Sequence, residues 1–177
     1  MLKFYISYFY QIRNMKPNML PMSTAMYDPK WFHNNLGNGY RYFDKNGVIN
    51  GVRIERLIFD KSRYDFLIDS EADCQKVCQK DQPKFYENNG SWCPFMFSYA
   101  YNIREKNPDF NEFITFCERY VDFLNQKLSA NIDTIIFIVH EPTSVICGER
   151  PVLQHWFKEN GFELKEWNQN EISYKNT

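Results

Sequence analysis

Between His140 and Arg150 the chain brings an imidazole, two carboxyls, a thiol and a guanidinium into one short stretch, His140-Glu141-Pro142-Thr143-Ser144-Val145-Ile146-Cys147-Gly148-Glu149-Arg150. Each type has a chemistry. Arg150 is suited to hold a phosphate or carboxylate through two parallel hydrogen bonds. Glu141 or Glu149 can serve as acid or base, or hold a sugar hydroxyl. Cys147, close to an arginine and to a helix start, is a candidate for a lowered thiol pKa and hence a nucleophile. The plainer alternatives are a surface loop whose Glu and Arg form an exposed ion pair of little worth and a thiol that only packs.

The flanking segments give the stretch its meaning. Asp133-Thr134-Ile135-Ile136-Phe137-Ile138-Val139 is an apolar run too short for a free helix, and it reads as a central parallel strand. Pro151 to Asn160 reads as a helix stopped by Gly161. The loop between them then lies outside the carboxyl end of a strand, where ligands bind in open parallel sheets. It also leads into helix amide groups that lack internal partners and favour an anion.

A second group is predicted to reach the same rim. Ser7 and Ser23 close the predicted strands Leu2–Ser7 and Leu20–Thr24, with Tyr8, Arg13 and Trp31 nearby. Hydroxyl and guanidinium groups suit phosphate, and a ring suits a stacked base. The alternative is that Tyr8 and Trp31 are ordinary core or surface aromatics. Cys74 and Cys78 sit one helical turn apart with Cys93 later, but no second ligand pair exists and His33, His140 and His155 are scattered, so no metal site is expected. Tyr99, Tyr101, Asn102, Arg104, Glu105 and Lys106 could line a groove, but read more readily as a solvated approach to the next helix.

The remaining elements follow from periodicity and capping. Asp28-Pro29-Lys30-Trp31-Phe32 looks like a helix start. Asn46-Gly47 and Asn50-Gly51 are turn dipeptides. Val52 to Phe59 alternates and reads as a strand near a sheet edge. Ser70 caps a helix predicted to end near Asp81. Asn107-Pro108-Asp109 opens a helix whose apolar face is Phe110, Phe113, Ile114, Cys117, Val121, Leu124 and Leu128. Phe162, Leu164 and Trp167 are assigned to a last strand. Alternation of strands and helices predicts a single α/β domain over residues 1–167, with a mainly parallel, Rossmann-like sheet flanked by helices, and a polar tail over 168–177.

Composition excludes several function classes. The 177 residues carry a net charge of -1, which argues against extended nucleic-acid binding. The 18% aromatic content argues for a core built on rings. Five cysteines, an odd count, and no secretion pattern point to the cytoplasm. No apolar run approaches the roughly 20 residues that span a membrane. The chain has no Walker loop, dinucleotide fingerprint, nucleophile elbow or zinc-protease motif, and no cofactor is expected. Frequent Asn and Lys with sparse Gly suggest an AT-rich genome, such as that of a low-GC bacterium or its phage.

Several patches resemble one family. Val139-His140-Glu141-Pro142, Cys147, Glu149-Arg150, Trp156-Phe157 and Gly161-Phe162-Glu163-Leu164-Lys165-Glu166-Trp167, together with Tyr5-Ile6-Ser7-Tyr8-Phe9, Arg13, Ser23 and Pro29-Lys30-Trp31-Phe32, resemble the "domain of unknown function 488" family. The resemblance implies an α/β fold and marks Glu141, Cys147 and Arg150. The family's Cys-His-Arg triplet is not intact, because Gly148-Glu149 separates Cys147 from Arg150 and no His follows the Cys. The expectation is therefore binding of a nucleotide-like or other phosphate-bearing ligand at the carboxyl edge of the sheet through Ser7, Tyr8, Arg13, Ser23, Trp31, His140, Glu141 and Arg150, as in a phage-type nucleotide-capturing protein. The alternatives are an enzyme on nucleotides or nucleic-acid components using Glu141 or Glu149, with Cys147 a further catalytic candidate, and a protein-interaction module. A homo-oligomer is left open.

Overall fold

The computed structural model describes residues 1–34, 43–64, 94–143 and 148–169. Its centre is strand β3, Thr134–Val139, in which every residue is buried. The branched side chains of Ile135, Ile136, Ile138 and Val139 suit a pleated strand covered on both faces. β3 pairs in parallel with β1 (Lys3–Tyr8) on one side and with β2 (Met19–Ser23) on the other. A two-residue strand β4, Lys165–Glu166, adds in parallel to the free side of β1, giving the order β2-β3-β1-β4.

Alternation along β3 feeds two cores. Ile135, Phe137 and Val139 join Ile6, Leu20 and Met22 under the helices α3 (Pro94–Lys106), α4 (Phe110–Leu128) and α5 (Glu149–Glu159). Ile136 and Ile138 face the opposite side, with Phe9, Ile12, Met15, Phe32 and Trp167. The first of these last residues belong to a 3-10 turn, Phe9–Asn14, that leads out of β1; Phe32 lies on the short helix α1, Lys30–Asn34. A further short helix, α2, covers Lys61–Tyr64. Among the described residues no helix is long and apolar enough to cross a membrane.

The long helix α4 starts where its sequence says it should. Asp109 is extended, and its carboxylate accepts from the amides of Asn111 and Glu112, satisfying two groups a helix start leaves orphaned. Cys117 lies on the buried face, and burial pushes its thiol up to about 12, so it packs rather than reacts. Helix α5 starts at Glu149, two residues before the predicted Pro151. Trp156 and Phe157 on α5 meet Phe110 at ring-centroid distances of 4.9 and 5.1 Å, so an edge-to-face aromatic cluster joins the two helices.

Two expectations need correction. Val52–Phe59 is not a strand: it makes one parallel bridge, Arg53 to Ser23, then a 3-10 turn at Glu55–Leu57. Its backbone groups are satisfied by side chains of α3 and the residue after it instead of by a neighbouring strand. Tyr99 donates to the Leu57 carbonyl, Lys106 to those of Glu55 and Ile58, and Asn107 to that of Arg56, while Asn102 accepts from the Asp60 amide. For the same reason Tyr99–Lys106 is not a solvated approach but most of a helix, with Tyr99 fully buried. The predicted helix from Ser70 to Asp81, Cys74, Cys78 and Cys93, and almost all of the polar tail fall outside the described residues.

The Tyr99 hydroxyl lies 2.6 Å from the buried Leu57 carbonyl oxygen. Tyr99→Phe leaves that carbonyl without this donor and should destabilise the fold by about 1–2 kcal/mol, read as a lower urea midpoint at unchanged slope.

Candidate functional site

The first turn of α5 folds back under the loop that follows β3, and Arg150 is the reason. Its side chain is almost wholly buried. Nε donates to Glu166 Oε2 at 2.8 Å, Nη2 to the Glu141 carbonyl at 2.8 Å and Nη1 to the Pro142 carbonyl at 3.2 Å. The guanidinium carbon also lies 6.0 Å from the centre of the Tyr8 ring. All three nitrogens thus donate to the protein, so Arg150 clamps the loop to β4; the expected open fork for a phosphate is not what the geometry presents.

Next to the clamp, Glu141 and Glu149 meet side chain to side chain. Glu149 is only 4% exposed despite its place in the first helical turn. Burial, then the charge of Glu141, then a hydrogen bond to Glu141 push its carboxyl up to about 8. Two carboxyls can share a hydrogen bond only through a proton, and Glu149, held protonated by its burial, supplies it. Gly148 makes room for this. It has φ +117°, and a Cβ there would lie 2.9 Å from both Cδ and Oε2 of Glu141. Glu141 Oε2 and Glu149 Oε2 are buried and, among the described residues, receive no hydrogen bond from a third group.

A second polar centre closes β2. The Asp28 side chain is 1% exposed and takes the Ser23 hydroxyl on Oδ1, while its Oδ2 meets His33 Nε2 and Arg53 Nη1, each at 2.6 Å. Arg53 Nη2 also donates to the carbonyls of Ala25 and Met26. A neutral His33 therefore carries its proton on Nε2, and its ring is held half-exposed with Nδ1 unpartnered among the described residues. Asp28, His33 and Arg53 were not among the expected site residues. No short motif joins them; Arg53 arrives only because the amides of Ser23 and Ile54 pair with Val52 and Ser23 carbonyls.

The expected ligand residues divide accordingly. Ser7 is fully buried and donates to the Trp167 carbonyl at 2.9 Å, and Ser23 is spent on Asp28, so neither hydroxyl faces a ligand. Parallel pairing places Ser7 opposite Ile138, inside the last turn of the sheet rather than above it. Tyr8, Trp31 and His140 do gather at the carboxyl rim. Phe9 takes the rings of His140 and Trp31 edge-on, each at 6.2 Å, and Trp31 remains 45% exposed. Tyr8 stacks on Tyr10 at 6.4 Å, and the exposed Arg13 lies 3.6 Å above the Tyr10 ring. Cys147 lies outside the described residues, and no cluster of metal ligands occurs among the described ones. Comparison of the chain with protein-family models, curated proteins and solved structures finds no match.

Gly148→Ala combines a strained φ with a clash against the Glu141 carboxyl and should cost about 1–3 kcal/mol in a urea unfolding curve. The pH dependence is signed by Glu149. Folded, it keeps its proton to about 8; unfolded, it loses it near 4.5. The folded chain therefore binds more protons across that window, and stability falls as pH rises through it. Glu149→Gln removes this dependence, so the variant's stability relative to wild type should climb between pH 4.5 and 8 and level off above; a pH-independent difference would contradict the shared proton.

Proposed function

We propose that the chain is an acid/base enzyme acting on a nucleotide-like small molecule at the carboxyl edge of its sheet, with Glu141 as base and Glu149 as acid. The observation that carries this reading is the pair of adjacent, buried carboxyls in which Glu149 is held protonated against Glu141. Opposed environments are how two like carboxyls come to play different catalytic parts.

The rim supports the substrate class. Trp31 offers an exposed ring for a base, and Arg13 and His140 are exposed groups for a phosphate, the part that Arg150 leaves unfilled. Resemblance to the "domain of unknown function 488" family adds the positions of Glu141 and Arg150, which touch directly through the Glu141 carbonyl. A cytoplasmic location, in the cell of a low-GC bacterium or its phage, belongs to the same proposal.

Capture of a nucleotide without turnover is the second reading. It is favoured by the Arg13–Tyr10 stack, an exposed cation on an exposed ring that needs no chemistry to hold a nucleotide.

A panel of nucleosides, nucleotides and cyclic dinucleotides, screened by thermal shift and then by mass spectrometry after incubation, separates the two. The enzyme reading expects a ligand that raises the melting temperature and is converted, with Glu141→Gln and Glu149→Gln each slowing conversion by about 100-fold or more while retaining the thermal shift. Return of the ligand unchanged supports capture instead. No stabilising ligand in the panel overturns the nucleotide-like class.

A further inference from the structure

The polar group around Asp28 has no part in the proposed work of Glu141 and Glu149, yet it is built with more hydrogen bonds. The buried Asp28 carboxylate meets His33 Nε2 on Oδ2 at 2.6 Å and takes the Ser23 hydroxyl on Oδ1. Nε2 therefore keeps the ring proton, and the lone pair of the neutral imidazole is left on Nδ1. The His33 side chain is 41% exposed, and Nδ1 has no partner among the described residues. A nucleophile backed by a second group, which a third group orients, is the arrangement that covalent catalysts use. Here the imidazole is the nucleophile, Asp28 backs it, and Ser23 and Arg53 orient Asp28.

The chain has three histidines, and among the described residues only His33 has a buried carboxylate behind it. His140 is exposed, packs edge-on against Phe9 and has no carboxylate partner among the described residues. His155 Nε2 meets Glu159 Oε1 at 2.7 Å, but that carboxylate is 41% exposed and is shared with Arg104. A positive charge on His155 would thus face a partner screened by water, and one on His33 would not. Arg53 shares Asp28 Oδ2, but it also donates to the Ala25 and Met26 carbonyls, and Glu55 Oε1 lies 3.7 Å from its Nε.

Transfer of a phosphoryl group to the ring is a reaction that gains from such backing. The Nδ1 lone pair forms a bond to phosphorus. The bond from phosphorus to the leaving group breaks, and the leaving group departs with its electron pair. The proton on Nε2 stays in place, so the ring becomes a cation that Asp28 stabilises. Lys30 is exposed, stands one helical turn before His33 on α1 and has no carboxylate partner among the described residues, so its ammonium suits the phosphoryl oxygens.

We propose that His33 is a phosphoryl-accepting nucleophile, modified on Nδ1 by a small phosphoryl donor. The step uses neither Glu141 nor Glu149, so its failure would leave the acid/base reading untouched, and the reverse.

Phosphoramidate, which releases ammonia on transfer, is the probe. The full chain is incubated with it, and peptide mass spectrometry follows the phosphoryl group on each histidine with time. His33 should react about tenfold or more faster than His140 and His155. Phosphorus NMR of the wild-type product should place the group on Nδ1. Asp28→Asn, with its fold checked by circular dichroism, should slow the reaction of His33 by about tenfold or more. Rates and attachment site on the wild-type chain decide the matter even where Asp28→Asn does not fold. A His33 no faster than the other two histidines, a product on its Nε2, or a folded Asp28→Asn that reacts at the wild-type rate each overturns the proposal.

Discussion

A guanidinium buried at the end of a sheet must be neutralised where it lies, and much of the carboxyl rim is arranged around that need. Arg150 reaches Glu166 on β4 and two carbonyls of the loop after β3, so one side chain ties together the start of α5, the loop and the outermost strand. β4 has only two paired residues and could not hold the sheet edge on its ladder alone. It is kept in place by Arg150, by the Trp167 amide on Ile6 and by the Ser7 hydroxyl on the Trp167 carbonyl. Buried ion pairs add little net stability against an apolar equivalent, yet losing one partner strands the other charge at a cost of about 3–5 kcal/mol. The clamp therefore specifies geometry more than it stabilises.

The same logic explains the two acidic centres at the rim. Asp28 is buried because three donors converge on it, and its charge is compensated by Arg53. Glu149 is buried without such compensation, and it adapts by keeping a proton shared with Glu141. One carboxyl is fully committed and holds His33; the other pair shares a proton and, among the described residues, takes no hydrogen bond on its Oε2 atoms from a third group. That difference, more than residue type, is what supports the proposed acid/base role of Glu141 and Glu149.

Much of the scaffold was legible in the sequence. The apolar run at Thr134–Val139, the cap at Asp109 and the helical spacing from Phe110 to Leu128 are local signals, and the structure places a buried parallel strand and a long helix there. Val52–Phe59 misled because its alternation reflects burial, while the partners of its backbone groups lie on a helix some fifty residues later. The types at the site were legible; their exposure was not. Whether Arg150 faces a ligand or the protein depends on Glu166, and whether Ser23 is free depends on Asp28, neither of which spacing along the chain reveals. His33 looked scattered until Arg53 and Asp28 met beside it.

The strand order also sets a timetable for synthesis. β1 and β2 are made first but do not pair with each other; each is joined to the sheet through β3, with Lys3 and Met19 both opposite Thr134. More than a hundred residues must therefore emerge before either strand finds its neighbour, which at about 5–20 residues per second is on the order of ten seconds. During that interval the unpaired backbone N–H and C=O edges of the apolar segments Lys3–Tyr8 and Met19–Ser23 are open to any other extended segment. A nascent chain with this topology therefore carries its two earliest strands unpaired until residue 139 has left the ribosome.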